Sequence, residues 1–156
     1  MSKITLIPIG IIHSPFKSRN DAPIQPHFAK DICGTIELNP EFTPALKDLD
    51  GFSHITLIYH LHKSDGYKLE VKPFLDNHLR GLFATRSPNR PNPLGLSVVR
   101  LDKIESNILY IRDIDALDGT PLLDIKPFIP EFTNREEIRL GWINGKIKKR
   151  LNHEKI

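Results

Sequence analysis

Arg80, Arg86, Arg90 and Arg100 fall in a stretch, Asn77 to Leu101, that contains neither Asp nor Glu. Guanidinium groups without competing carboxylates suit an anionic ligand, because a planar fork of N–H donors takes a carboxylate or phosphate through two parallel bonds. The middle of this stretch, Thr85-Arg86-Ser87-Pro88-Asn89-Arg90-Pro91-Asn92-Pro93-Leu94-Gly95-Leu96-Ser97, is stiffened by three prolines. Each proline fixes φ and removes a backbone donor, which excludes a helix or a central strand and leaves an extended loop that holds its shape. The bland alternative is a rigid connection with solvated arginines.

A second group of candidates is the histidines. Ser53 to His62 alternates with period two, placing Ile55, Leu57, Tyr59 and Leu61 on one face and His54, Thr56, Ile58, His60 and His62 on the other. One face builds core and the other presents three histidines. His60 and His62 share a side of the strand, but no cysteine or carboxylate cluster completes a tetrahedral set, so no metal is assigned.

These residues need elements to position them. Lys3 to Ser14, interrupted by Pro8 and Gly10, reads as an edge strand with a bend, and residues 17–30 as a long irregular segment. Cys33 to Leu38 reads as a second strand with Ile32, Gly34, Ile36 and Leu38 on one face, Cys33 itself being taken for a small core residue. Thr43 as N-cap and Pro44 at the first helical position predict a short helix to Leu49, closed by Asp50-Gly51. Lys63 to Pro73 is a polar loop, and Leu82 to Thr85 a short strand delivering the arginine loop. Leu96 to Ile104 and Ile108 to Ile114 form a hairpin about Glu105-Ser106-Asn107. Asp118-Gly119-Thr120-Pro121 is a turn whose exposed amides suit an anion or a ribose, and Leu122 to Phe128 is a strand. A helix within Glu136 to Leu151 is weakened by Gly141 and Gly145.

Short strands joined by loops, with no Gly-x-Gly-x-x-Gly after a strand, exclude a Rossmann-type sheet and predict a mainly antiparallel β-barrel or sandwich. At 156 residues, 39% apolar and 26% charged, one soluble domain is expected across 1–156, without a membrane span or secretion signal. A single cysteine fits a reducing cytoplasm. The net charge of +3 is modest, but the arginine stretch and the segment Lys146, Lys148, Lys149 and Arg150 concentrate positive charge, which points to a polyanion such as RNA.

Five motifs, in order, resemble those of the TrmO/YaeB-like (TsaA-like) family of S-adenosylmethionine-dependent tRNA adenine N6-methyltransferases. They are Ile9 to Phe16, Gln25-Pro26, Gly51 to His54, Thr85 to Ser97, and Leu117 to Pro127. The resemblance implies a small antiparallel β-barrel with short helices and long functional loops, working as a homodimer on tRNA. It implies an S-adenosylmethionine site formed by Gln25, Pro26, His27, His62, Lys63, Arg86, Leu94, Leu117, Asp118, Gly119 and Thr120. The acceptor it implies is the exocyclic nitrogen of a threonylcarbamoylated adenosine at tRNA position 37.

A ureido nitrogen needs a proton acceptor close by, and His62 and Asp118 are equal candidates. Arg90 and Asn92 are candidates for the substrate, Arg90 through the threonine carboxylate or, alternatively, paired with a carboxylate of the protein. The family's additional C-terminal domain is expected to be absent. Two further readings share the same residues: a non-catalytic RNA- or nucleotide-binding barrel, and a small-molecule methyltransferase.

Overall fold

The computed structural model describes residues 1–23 and 29–147, which fall into two compact units. One comprises the described residues of Met1–Asp65 and Asn92–Phe128, the other those of Gly66–Pro91 and Ile129–Ile156. The strands are β1 (Gly10–His13), β2 (Cys33–Leu38), β3 (His54–His60), β4 (Glu70–Val71), β5 (Arg80–Gly81), β6 (Leu94–Glu105), β7 (Ile108–Arg112) and β8 (Thr120–Pro127). Among the described residues no helix is long and apolar enough to cross a membrane.

In the first unit β1, β2, β7, β6, β3 and β8 close an antiparallel barrel in that order. Period-two patterning decides its inside. Ile12, Ile36, Ile55, Leu57, Leu109, Ile111 and Leu122 point inward and are buried. Each such side chain contributes about 1.5–3 kcal/mol on leaving water, which is what holds short strands together. Tyr59 enters the same interior opposite Gly95, where a Cβ would come within 2.0 Å of the ring. Its phenol donates to Ser97 Oγ at 2.8 Å, and that hydroxyl donates to Asp115 Oδ1 at 2.6 Å, so the buried polar atoms are partnered.

Antiparallel pairing fixes which strand ends meet. His13 pairs with Thr35, Ile12 with Thr120, Tyr59 with Leu122, and His60 with Leu94. One rim therefore gathers the ends of β1 and β3 and the starts of β2, β6 and β8.

In the second unit β4 and β5 pair as a two-stranded ribbon. Asp76, its side chain 6% exposed, accepts from Arg80 Nε at 2.8 Å and Nη2 at 2.5 Å, and Lys146 Nζ lies 2.9 Å from its other oxygen. Lys146, then Arg80, then His78 hold this carboxyl far below the usual range. The Trp142 ring lies 5.5 Å from both Arg80 Cζ and Lys146 Nζ, and its Nε1 donates to the Ala84 carbonyl at 2.7 Å. The arginine-bearing segment and residues 142–146 are thus fastened to each other by charge and by one indole.

Several expectations need correction. The first strand is confined to Gly10–His13 and is no edge strand, because barrel closure pairs it with both β2 and β8. Cys33 is exposed, since alternation along β2 turns Gly34, Ile36 and Leu38 inward and Cys33 out. The helix expected at Thr43–Leu49 is a 3-10 helix at Pro40–Leu46. Pro40 takes its first position, Pro44 lies inside, and Asp48 at φ 67° breaks the path before Leu49. Leu82–Ala84 is a 3-10 turn and not a strand, with the Thr85 N–H and hydroxyl both donating to the Leu82 carbonyl. The helix expected within Glu136 to Leu151 is absent from 136–145, and its end, 148–151, lies outside the described residues. Glu137, Gly141 and Gly145 have φ of 56°, 56° and 75°, so no helix runs through 136–145; that stretch holds only the 3-10 turn Gly141–Ile143, and residues 146–147 are helical. Lys148, Lys149 and Arg150 lie outside the described residues.

The hairpin is as expected, Leu94–Glu105 with Ile108–Arg112, turning at Ser106 with φ 55°. The segment between Thr85 and Pro93 forms neither helix nor strand.

Candidate functional site

The barrel rim defined above carries most of the residues singled out in the sequence. Just past β3, the Leu61 N–H donates to the Pro93 carbonyl at 2.8 Å and the His62 N–H to the His60 carbonyl at 2.8 Å, a tight turn that presents His62 and Lys63. Leu94 and Asn92 adjoin it, Leu94 pairing with His60 and donating its N–H to the Asn92 carbonyl at 2.8 Å.

The turn before β8 is bonded to the segment after β1. Asp118 N–H donates to Phe16 O at 2.8 Å and Gly119 N–H to Ile12 O at 2.9 Å, while Thr120 N–H approaches Leu117 O at 3.3 Å. These amides are spent inside the fold, so the turn does not offer them to an anion or a ribose as expected. Gly119 has φ 77°, which a residue with a Cβ adopts only under strain. What the turn presents instead is a carboxylate. Asp118 Oδ1 accepts the Ser14 N–H at 3.1 Å, Oδ2 accepts Lys17 Nζ at 2.6 Å, and His13 Nδ1 lies 3.6 Å from Oδ1. Lys17 first, and then the Ser14 amide, hold the Asp118 carboxyl below its ordinary value.

The histidine turn joins the same cluster. Thr120 Oγ1 donates to the Leu117 carbonyl at 2.6 Å and lies 3.5 Å from His62 Nδ1. Lys63 Nζ donates to the Lys17 carbonyl at 3.3 Å, and Arg19 Nη2 donates to the Lys63 carbonyl. Burial first, then the positive charge of Lys63 and the neighbouring His60, push the His62 imidazole below 6.5, so it is predominantly neutral at pH 7.

The fold therefore brings together His62, Lys63, Leu117, Asp118, Gly119 and Thr120, with Leu94 and Asn92 adjoining. Arg86 and Arg90 belong to the other unit. Arg90 Nη1 donates to the Thr85 carbonyl at 2.9 Å, with the Ser87 and Leu82 carbonyls at 3.3 and 3.4 Å, and its Cζ sits 5.6 Å from the Phe83 ring centroid. Gln25, Pro26 and His27 lie outside the described residues. Sequence reasoning gave no role to Lys17, Arg19 or the Ser14 amide. Their partners stand 44 to 104 positions away, and a lysine after a Ser-Pro bend carries no local mark of that.

The family described as tRNA-methyltransferase O N-terminal domain matches residues 11–134, which include all of the barrel but Gly10 and the whole of this cluster. The chain belongs to that family. A relative from Pyrococcus abyssi, named a probable S-adenosyl-L-methionine-binding protein, is 58% identical over 142 residues, 91% of this chain and 77% of its own. A human relative, named tRNA (adenine(37)-N6)-methyltransferase, is 34% identical over 84% of this chain and 31% of its own. The crystal structure of TrmO from Pseudomonas aeruginosa superposes with a TM-score of 0.74 at 37% identity, over 90% of this chain and 63% of that one. The chain thus spans under two thirds of the solved relative and about a third of the human one. Within the family match, Trp142 and Lys146 are not included, although they fasten the segment that leads into the family's arginine loop.

Proposed function

We propose that this chain binds S-adenosylmethionine and transfers its methyl group to the exocyclic nitrogen of adenosine 37 of tRNA. The observation that carries the reading is the bonded cluster of His62, Lys63 and the 117–120 turn on one rim of a barrel matched to the family. Support for cofactor and substrate comes from the relatives named above.

The residues present fit the cofactor. Asp118, held charged with its side chain 27% exposed, has the sign that complements a sulfonium or an α-ammonium, and its oxygens accept ribose hydroxyls. Lys63 has the sign for the α-carboxylate. S-adenosylmethionine supplies a methyl already activated on a sulfonium, so the protein must align the two partners, exclude water and take one proton.

His62 suits the proton. The Thr120 hydroxyl gives its hydrogen to the Leu117 carbonyl and so faces His62 Nδ1 with lone pairs, which favours Nδ1–H and leaves Nε2 as the acceptor. Asp118 is the weaker base, because Lys17 and the Ser14 amide stabilise its ionised form. In this reading the acceptor nitrogen gains a methyl and gives its proton to His62 Nε2. The finer substrate, an adenosine already bearing a threonylcarbamoyl group, and a homodimeric cytoplasmic enzyme are parts of the same proposal.

Calorimetry with S-adenosylmethionine, followed by transfer of labelled methyl into tRNA with and without the threonylcarbamoyl group, tests it. Binding with transfer only to the modified tRNA is expected. Binding without transfer to any tRNA would leave a small-molecule enzyme, and no heat at millimolar cofactor would leave a non-catalytic barrel. Light scattering at twice the 17.8 kDa chain mass is the expected state.

A further inference from the structure

Charge is divided unequally between the two compact units. Among the described residues, 66–91 and 129–147 carry 8 Lys and Arg against 5 Asp and Glu, whereas the other unit carries 10 against 13. The cationic unit is thus the one that holds Arg80, Arg86 and Arg90, and Phe83, 77% exposed, is the most exposed large hydrophobic side chain among its described residues.

A single exposed phenylalanine is ordinary on a protein surface. This one is held in place. It sits in the 3-10 turn Leu82–Ala84 between buried Leu82 and an Ala84 carbonyl that receives the Trp142 indole N–H. The Leu82 carbonyl takes both donors of Thr85, which closes the turn. The Arg90 guanidinium lies over the ring and is itself anchored by Nη1 to the Thr85 carbonyl. The ring therefore has a fixed root and a fixed cation beside it, with most of its surface left to solvent. Rigid aromatic rings next to cations are what unpaired nucleic-acid bases stack upon, since every base has a π-face and the neighbouring phosphates seek the charge.

We propose that Phe83, backed by Arg90, is a stacking platform for an unpaired base of the RNA substrate, with exposed Lys68 and Lys72, on the segment whose Leu69 carbonyl takes the Leu82 N–H at 2.8 Å, serving its phosphates. The inference rests on the tRNA reading above and adds to it a specific residue. A loop nucleotide beside the acceptor is the chemical class it takes.

The test is anisotropy of a fluorescein-labelled anticodon stem–loop RNA against wild-type protein, Phe83→Leu and Phe83→Trp across a salt series, with cofactor calorimetry and light scattering on each. Phe83→Leu is expected to weaken RNA binding roughly tenfold or more with an unchanged salt slope, whereas Phe83→Trp holds wild-type affinity. Lys68→Glu with Lys72→Glu should lower the slope of log K against log salt. S-adenosylmethionine affinity should be the same in all. Equal RNA affinity of wild type and Phe83→Leu overturns the platform alone, as does equal loss in Phe83→Leu and Phe83→Trp, or a change of oligomeric state with Phe83→Leu. Wild-type protein that binds no stem–loop at any salt overturns the tRNA reading and the platform with it.

Discussion

Lys17 Nζ lies 2.6 Å from Asp118 Oδ2, joining two residues 101 positions apart and fixing the segment after β1 to the turn before β8. The pair is partly exposed, so its worth is limited to about 1 kcal/mol or less. Its effect on titration has a definite sign. The folded Asp118 carboxyl titrates below the ordinary 3.8, so the stability it contributes is fully present above that value and is lost as pH falls through the lowered one. Lys17→Met is expected to lower stability by up to about 1 kcal/mol at pH 7, with the difference from wild type vanishing in strong acid. Urea melts at pH 7 and pH 2.5 measure it, and an equal difference at both would refute the assignment.

Under the proposed function, His62 is expected to give methyl transfer its pH dependence. A base must be unprotonated, and this imidazole titrates below 6.5, so methyl transfer is expected to hold constant through pH 7 and fall only on acidification beyond 6.5. His62→Gln should lower kcat roughly 10²- to 10⁴-fold and abolish that acid limb. A pH–rate profile with an unchanged limb in the variant would assign the proton to another group.

Gly95 is expected to tolerate no side chain. The Cβ of Gly95→Ala would stand 2.0 Å from the Tyr59 ring, and moving that ring would also strain its bond to Ser97. A loss of about 1–3 kcal/mol or more is expected, with Tyr59→Phe in the same background failing to restore it, because the clash is with the ring and not the hydroxyl. Chemical denaturation of the two variants decides this.

Trp142 is the sole tryptophan of the chain, so its fluorescence reports one site. Trp142→Phe removes the bond to the Ala84 carbonyl at a cost of about 1 kcal/mol. Amide hydrogen exchange is expected to quicken in residues 80–91 and to stay as it was in β3 and β6. Uniform acceleration would mean that Trp142 serves global stability only.

The sequence alone determined the barrel's strands and the motifs. Alternation over Ser53 to His62 and the hairpin about Ser106 are local patterns, and the prolines of residues 88–93 impose a loop wherever they occur. It also supplied the family, since ordered motifs need no coordinates. It failed where distant partners decided the outcome. Cys33 faces out because β2 had to turn Ile36 inward, β1 ceased to be an edge when β8 closed on it, and three left-handed residues interrupt the helix path over 136–145. Only the tertiary structure decided that the amides of the 117–120 turn are consumed by Ile12, Phe16 and Leu117, and that Lys17 holds Asp118 charged. The physical reason is the range of the forces involved. Periodicity and φ restriction act within a few residues and leave their trace in the string, whereas a hydrogen bond or ion pair depends on which segments the closed barrel happens to bring within 3 Å.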